Sequence, residues 1–291
     1  MRTKALEEPN EMKGDCISGL DVSFSTRNDK VMADIMRRLR ERKPWGWIRF
    51  ADGDINDLLD IVPGSTSTGQ RLMDAIATWH ELDNLVVSVG AWWLCQDNMK
   101  TKWMKHMTKQ LVGNFSFMDQ CFYLPMGTPD DDDRDGWAAL GIDGWVRVAL
   151  ETNTPMVPVG QSHLREIPWL SKGDFVSAGD VSKNPTAMQR AIEECEVISA
   201  NHGIHPVLFV FSAGSGAKTM ITELMHPSRP TSKDMFVDAG TALDGFAGVH
   251  SREFNSGKNF VDKYCNNIMR VDAVNMDSWI KPGICPPNPK P

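Results

Sequence analysis

The 291-residue chain carries a formal net charge of −7 and a pI near 5.5, which excludes an overall electrostatic grip on a nucleic-acid backbone or an anionic membrane. At 41% hydrophobic residues it has the composition of a packed globular protein, long enough for one large α/β domain or two small ones. Six scattered cysteines with no C-x-x-C pair write neither a zinc site nor a redox motif and fit a reduced, cytoplasmic protein. The first residues, MRTKALEEPNEMKGD, do not read as a signal peptide, and no run approaches the ~20 apolar residues of a membrane helix.

Residues 1–27 are polar and aperiodic and read as an N-terminal arm. Asn28 then caps an expected helix to about Lys43, with Val31, Ile35, Met36 and Leu39 on one face. Trp45, Trp47, Ile48 and Phe50 make a short buried strand, and Asp52-Gly53-Asp54 follows at its carboxyl end. Gly53 is expected to permit a tight bend, and Asp54 to cap a helix whose apolar face is Ile55, Leu58 and Leu59. An Asp-Gly-Asp string is most often only a turn and a cap. Arg49 raises the functional alternative, because an arginine in an aromatic strand is costly unless it meets carboxylate or phosphate. Hard oxygen ligands there suit Mg²⁺ or Mn²⁺ carried with a phosphate.

Downstream, Pro63 to Gly69 reads as a loop, Gln70 to His80 as a helix and Asn84 to Gly90 as a strand covered on both faces. Ala91 to Val112 is basic and aromatic and reads mainly as an amphipathic helix; Phe115 to Leu124 reads as a strand, and Pro129 to Asp135 as a solvated acidic loop before a helix from Gly136 to Leu150. From Pro155 the order is regular: strand PMVPVG, the connection HLREIPWL, strand DFVSA, helix Ala187 to Asn201, strand PVLFVFSAG, helix Ala217 to Met225 and strand MFVDAG. Strands alternating with helices predict an α/β, Rossmann-like, mostly parallel sheet flanked by helices. The expected organisation is a single domain over 28–270 and an extended proline-rich tail over 271–291.

The turn Phe211 to Lys218, FSAGSGAK, lies between a strand and a helix, where small residues let an anion approach helix N-terminal amides. Its glycine spacing fits an S-adenosylmethionine loop as well as a diphosphate cradle. Phe236 to Asp244 repeats the strand and small-residue design one unit later.

These segments resemble the GT-D type glycosyltransferases. Arg49-Phe50-Ala51-Asp52-Gly53-Asp54 is similar to their R-F/Y-G-D-G-E string, with Ala51 for glycine and Asp54 for glutamate. Gly214, Ala217 and Lys218 match a small-G-x-x-A-K helix start, and Asp238, Gly240, Thr241 and Asp244 match D-x-G-S/T-x-x-D. The resemblance covers roughly residues 30–255. It implies a glycosyltransferase moving a sugar from a nucleoside-diphosphate donor, UDP favoured, to a hydroxyl acceptor, with Mn²⁺ or Mg²⁺ on Asp52 and Asp54. Donor contacts would come from Arg49, Asp52, Gly53, Gln70, Gly214, Ser215, Lys218, Asp238, Thr241 and Arg252. Asp54, Asp244, Glu253 and His250 are the catalytic candidates, the last three as acceptor base. A glycan acceptor is favoured over a hydroxylated nucleobase on charge. A methyltransferase using FSAGSG and a non-catalytic sugar-nucleotide sensor are the alternatives.

Overall fold

The computed structural model describes residues 28–50, 52–59, 67–89, 116–119, 142–170, 172–179, 181–251 and 281–284. The expected arm, the Ala91 to Val112 helix, the acidic run from Pro129 to Asp135, and the candidates Arg252 and Glu253 lie outside these residues.

Among the described residues seven parallel strands form one sheet in the order β3-β2-β1-β7-β6-β4-β5. They are β1 (Trp45–Phe50), β2 (Leu85–Val89), β3 (Ser116–Asp119), β4 (Met156–Gly160), β5 (Val176–Ser177), β6 (Leu208–Ser212) and β7 (Met235–Asp238). Among the described residues the helices are α1 (Asn28–Arg40), α2 (Asp52–Leu59), α3 (Thr68–Thr78), α4 (Ile142–Glu151), α5 (Pro185–Asn201) and α6 (Gly216–Met225). Single turns of 3₁₀ helix include Ser162–Glu166 after β4, and a longer 3₁₀ segment, Gly240–Ala247, follows β7.

Period-two alternation decides which helices cover which face. In β6, Phe209 and Phe211 point one way with Phe236 of β7, into a core shared with Leu72 and Ile76 of α3, Ile192 of α5 and Ile221 of α6. Leu208, Val210, Met235 and Val237 point the other way with Trp45 and Trp47, against Leu39 of α1, Trp145 of α4 and Phe246. Both faces being covered explains why these strands read as continuous apolar runs rather than alternating ones. Phe209 and Phe236 stack with ring centroids 5.7 Å apart across the β6–β7 pair. Among the described residues, no helix is long and apolar enough to cross a membrane.

Local chemistry sets the helix starts. The Ser67 side chain accepts from Gln70 N at 3.2 Å, and Asn184 accepts from Ala187 N at 3.1 Å ahead of Pro185. The cap at Ser67 places Thr68 and Gly69 inside α3, not in the loop expected up to Gly69. α1 stops at Arg40 instead of Lys43, and Arg42 behind it takes φ +53°. The connection after β4 and the segment after β7 are 3₁₀ helical, a state that no sequence periodicity announced. Near the chain's end, Lys281 N donates to Phe246 O at 3.0 Å, tying residues 281–284 to the Gly240–Ala247 segment.

The acidic turn differs most from expectation. α2 begins at Asp52, so Gly53 and Asp54 lie within its first turn; Asp54 is not the cap. Gly53 has no positive φ, and a Cβ built on it meets nothing within 4 Å, so no tight bend requires glycine there. Asp54 instead turns inward and is buried.

Candidate active site

Ligands of open parallel sheets gather beyond the carboxyl ends of the strands. At that edge β1 and β7 are neighbours, bringing the Arg49–Asp54 string beside Asp238, although nearly two hundred residues separate them in sequence. The β6 turn and the start of α6 complete the corner.

The centre is an ion cluster. Lys218 Nζ lies 2.9 Å from Asp238 Oδ2 and 3.2 Å from Asp54 Oδ1, with side chains 2%, 0% and 3% exposed respectively. Nζ also donates to Gly214 O at 3.2 Å, so three protein oxygens surround the ammonium. Burial opposes the charge on Lys218, but the carboxylates of Asp238 and Asp54 outweigh burial and the nearby Arg49, holding its pKa above the ordinary lysine value. Asp238 further accepts from Arg49 N at 3.3 Å and from Gly240 N at 3.1 Å. Its carboxylate thereby locks the end of β1 to the end of β7.

Gly240 has a clear reason to be glycine. Its φ is +48°, and a Cβ there would sit 1.7 Å from Arg49 Nη2, so the guanidinium lies directly over the Gly240 backbone. Two cations and two carboxylates make the quartet of Arg49, Lys218, Asp54 and Asp238 neutral overall.

Gly214 also has positive φ, +57°, and lies beside Ser182. Gly216 packs so tightly on the 181–182 segment that a Cβ would meet Val181 Cγ2 at 2.7 Å and Ser182 N at 3.0 Å. Ser182 O in turn accepts from Thr68 Oγ1 and, at 2.6 Å, from Arg71 Nη2, where burial pushes the arginine's pKa down. α3 therefore braces the glycine turn through this segment. Ser215 precedes α6 but makes no side-chain cap bond.

A second cluster lies on the same edge. Asp244, buried in the segment after β7, has His163 Nε2 at 2.9 Å from Oδ1 and accepts the Ser251 hydroxyl on Oδ2. His163 comes from the 3₁₀ turn after β4.

Of the sequence candidates, the structure brings Arg49, Asp54, Gly214, Lys218 and Asp238 together, with Asp244 and Thr241 on the segment leaving Asp238. His250 is exposed beside Ser251. Gln70 donates along its own helix to Asp74 at 2.9 Å. Residues that sequence reasoning passed over are His163, Arg71 and Ser182. A histidine three residues after an apolar strand was the available signal for the first; no signal marked the others.

Asp52 and Asp54 both belong to the first turn of α2. Asp54 already holds an ammonium, and among the described residues no group of three metal-binding side chains converges. The described residues alone do not complete a metal site.

No family model matches the chain, and no curated protein matches it significantly. Solved structures similar to it include a selenomethionine-substituted domain of unknown function 1792, with TM-score 0.42 and 14% identity over 77% of this chain and 92% of that one. Another is a domain of unknown function 1792 described as having a distinct glycosyltransferase fold, with TM-score 0.41 and 14% identity over 78% and 93%. Likeness of this degree says nothing of activity.

Proposed function

We propose that the chain is a glycosyltransferase that moves a sugar from a nucleoside-diphosphate donor, a UDP-sugar by preference, to a hydroxyl acceptor. The observation that carries this is the Arg49–Asp238–Lys218–Asp54 cluster beside the Gly214 turn, at the carboxyl ends of adjacent strands. As the glycosidic bond breaks, the leaving diphosphate gathers negative charge, which the Arg49 guanidinium would stabilise beside the Gly214 turn. Lys218 acts at one remove. Fully buried and surrounded by Asp54, Asp238 and Gly214 O, it fixes the acids and the turn and does not itself touch the donor. Gly53 and Thr241 would line the donor's approach.

The cluster's neutrality bears on the metal. An anionic diphosphate meets no net positive charge there, so Mn²⁺ or Mg²⁺ is expected to arrive with it, held by phosphate oxygens and by Asp52 and Asp54. Bound so, the ion would offset charge on the leaving group.

The methyltransferase reading needs an acid at the end of β7 free to hold a ribose. Asp238 is fully buried and engaged by Arg49 N, Gly240 N and Lys218, which weighs against it. A glycan acceptor remains preferred to nucleic acid because the chain is acidic overall.

Thermal-shift measurements with UDP-sugars, GDP-sugars and S-adenosylmethionine, each with and without Mn²⁺, test the reading. A UDP-sugar shift that grows with Mn²⁺ is expected, and release of UDP from the donor separates an enzyme from a sensor. A shift with S-adenosylmethionine alone would overturn the proposal.

A further inference from the structure

The geometry points to His163 as the base that takes the acceptor's proton, with Asp244 as the residue that positions it; this rests on the transferase reading above. Asp244 itself is poorly suited to that task. Its side chain is 6% exposed, and both oxygens are occupied, Oδ1 by His163 and Oδ2 by the Ser251 hydroxyl. An ionised carboxylate only accepts, so the contact with His163 is a donated Nε2–H, and the lone pair falls on Nδ1. Among the described residues no hydrogen bond is made by Nδ1, and the ring keeps 16% of its surface exposed. A buried carboxylate that orients an imidazole and stabilises the imidazolium is a known device for placing a base at a reacting hydroxyl.

Placement agrees with this role. His163 follows the carboxyl end of β4, and Asp244 lies six residues beyond Asp238 on the segment whose first residue underlies the Arg49 guanidinium. The pair and the ion cluster thus share one sheet edge and one connecting segment.

In the step, the acceptor oxygen forms a bond to the anomeric carbon as the carbon–oxygen bond to the diphosphate breaks. The bonding pair leaves with the diphosphate, and the hydroxyl proton passes to His163 Nδ1. A base distinct from the leaving group belongs to a single displacement with inversion.

The test uses the full chain with UDP-glucose and UDP-N-acetylglucosamine, water serving as acceptor, so that UDP release reads the step. His163→Gln should keep wild-type UDP affinity by calorimetry and an unchanged melting temperature, while kcat falls 10²- to 10⁴-fold and KM for the donor stays level. The ¹⁵N spectrum of the His163 ring should show a protonated Nε2 and a bare Nδ1, and Asp244→Asn should change that pattern. Wild-type turnover in His163→Gln, or a ring protonated on Nδ1 in the free protein, overturns the assignment of His163. A wild-type protein that neither binds UDP nor releases it from either donor overturns the transferase reading, and this step with it. The ¹⁵N result then tells whether the imidazole and carboxylate pair as described.

Discussion

Lys218 Nζ lies 2.9 Å from Asp238 Oδ2, so the first turn of α6 is fastened to the last residue of β7 by a pair hidden from solvent. Removing one partner of a buried pair leaves uncompensated charge, which costs about 3–5 kcal/mol. Lys218→Met should therefore lower urea stability by that order, and a loss under ~1 kcal/mol would show that the acids find other partners. The pH dependence has a definite sign. Because the folded pKa is raised, the stabilisation is fully present below the unfolded lysine value of ~10.4 and is lost as pH climbs through the folded value. The wild-type urea midpoint should thus lose this contribution only in alkali, and Lys218→Met should lack that alkaline loss.

Asp54→Asn tests whether the acid serves the donor as well as Lys218. Asparagine keeps the shape and removes the charge. UDP-sugar affinity in Mn²⁺ should fall at least tenfold, measured by calorimetry; wild-type affinity would confine Asp54 to holding Lys218 in place.

Gly53 offers a cleaner probe. A Cβ meets nothing at this helical position, so Gly53→Ala should raise stability by roughly 0.5–1 kcal/mol. If the donor approaches the α2 backbone there, the same change weakens donor binding. A stabilised variant with unchanged affinity would remove Gly53 from the site.

Gly240→Ala and Gly248→Ala form a matched pair, with φ of +48° and +77°. Both should lose about 1–2 kcal/mol from left-handed strain. Only the first displaces the Arg49 guanidinium, so only the first should weaken UDP affinity beyond what partial unfolding explains. Equal affinity losses in both would dissociate Arg49 from the donor.

Metal and nucleotide should bind as linked partners. With Asp54 committed to Lys218 and no three-ligand group among the described residues, Mn²⁺ alone should bind weakly and UDP should raise its affinity. Linkage requires the reciprocal increase for UDP in Mn²⁺. Calorimetry giving equal Mn²⁺ affinity with and without UDP would contradict this.

The parallel α/β architecture was legible because near-continuous apolar strands such as LFVFS and MFVD separate clear helical stretches. The neighbourhood of Arg49, Lys218 and Asp238 was legible only as motifs; their meeting follows from strand order, which periodicity does not encode. The start of α2 was misplaced because Asp-Gly-Asp carries turn propensity that local tertiary contacts override: Asp54 gains a buried ammonium by turning into the helix. His163 was hidden for a similar reason. Its partner lies 81 positions away, and nothing in HLREIPWL indicates a carboxylate across the sheet edge.

The adjacency of β1 and β7 also governs how the chain is assembled. β1 pairs with β2 early in sequence, but its other edge is covered only by Met235, Phe236 and Val237. Pairings over such separations incur their loop-closure entropy before they return any contact, which slows folding. During synthesis the strand carrying Arg49 therefore emerges with one edge bare and stays so until β7 leaves the ribosome. The candidate site is the last part of the sheet to close, and a chain interrupted before Met235 would present an open strand edge to its neighbours.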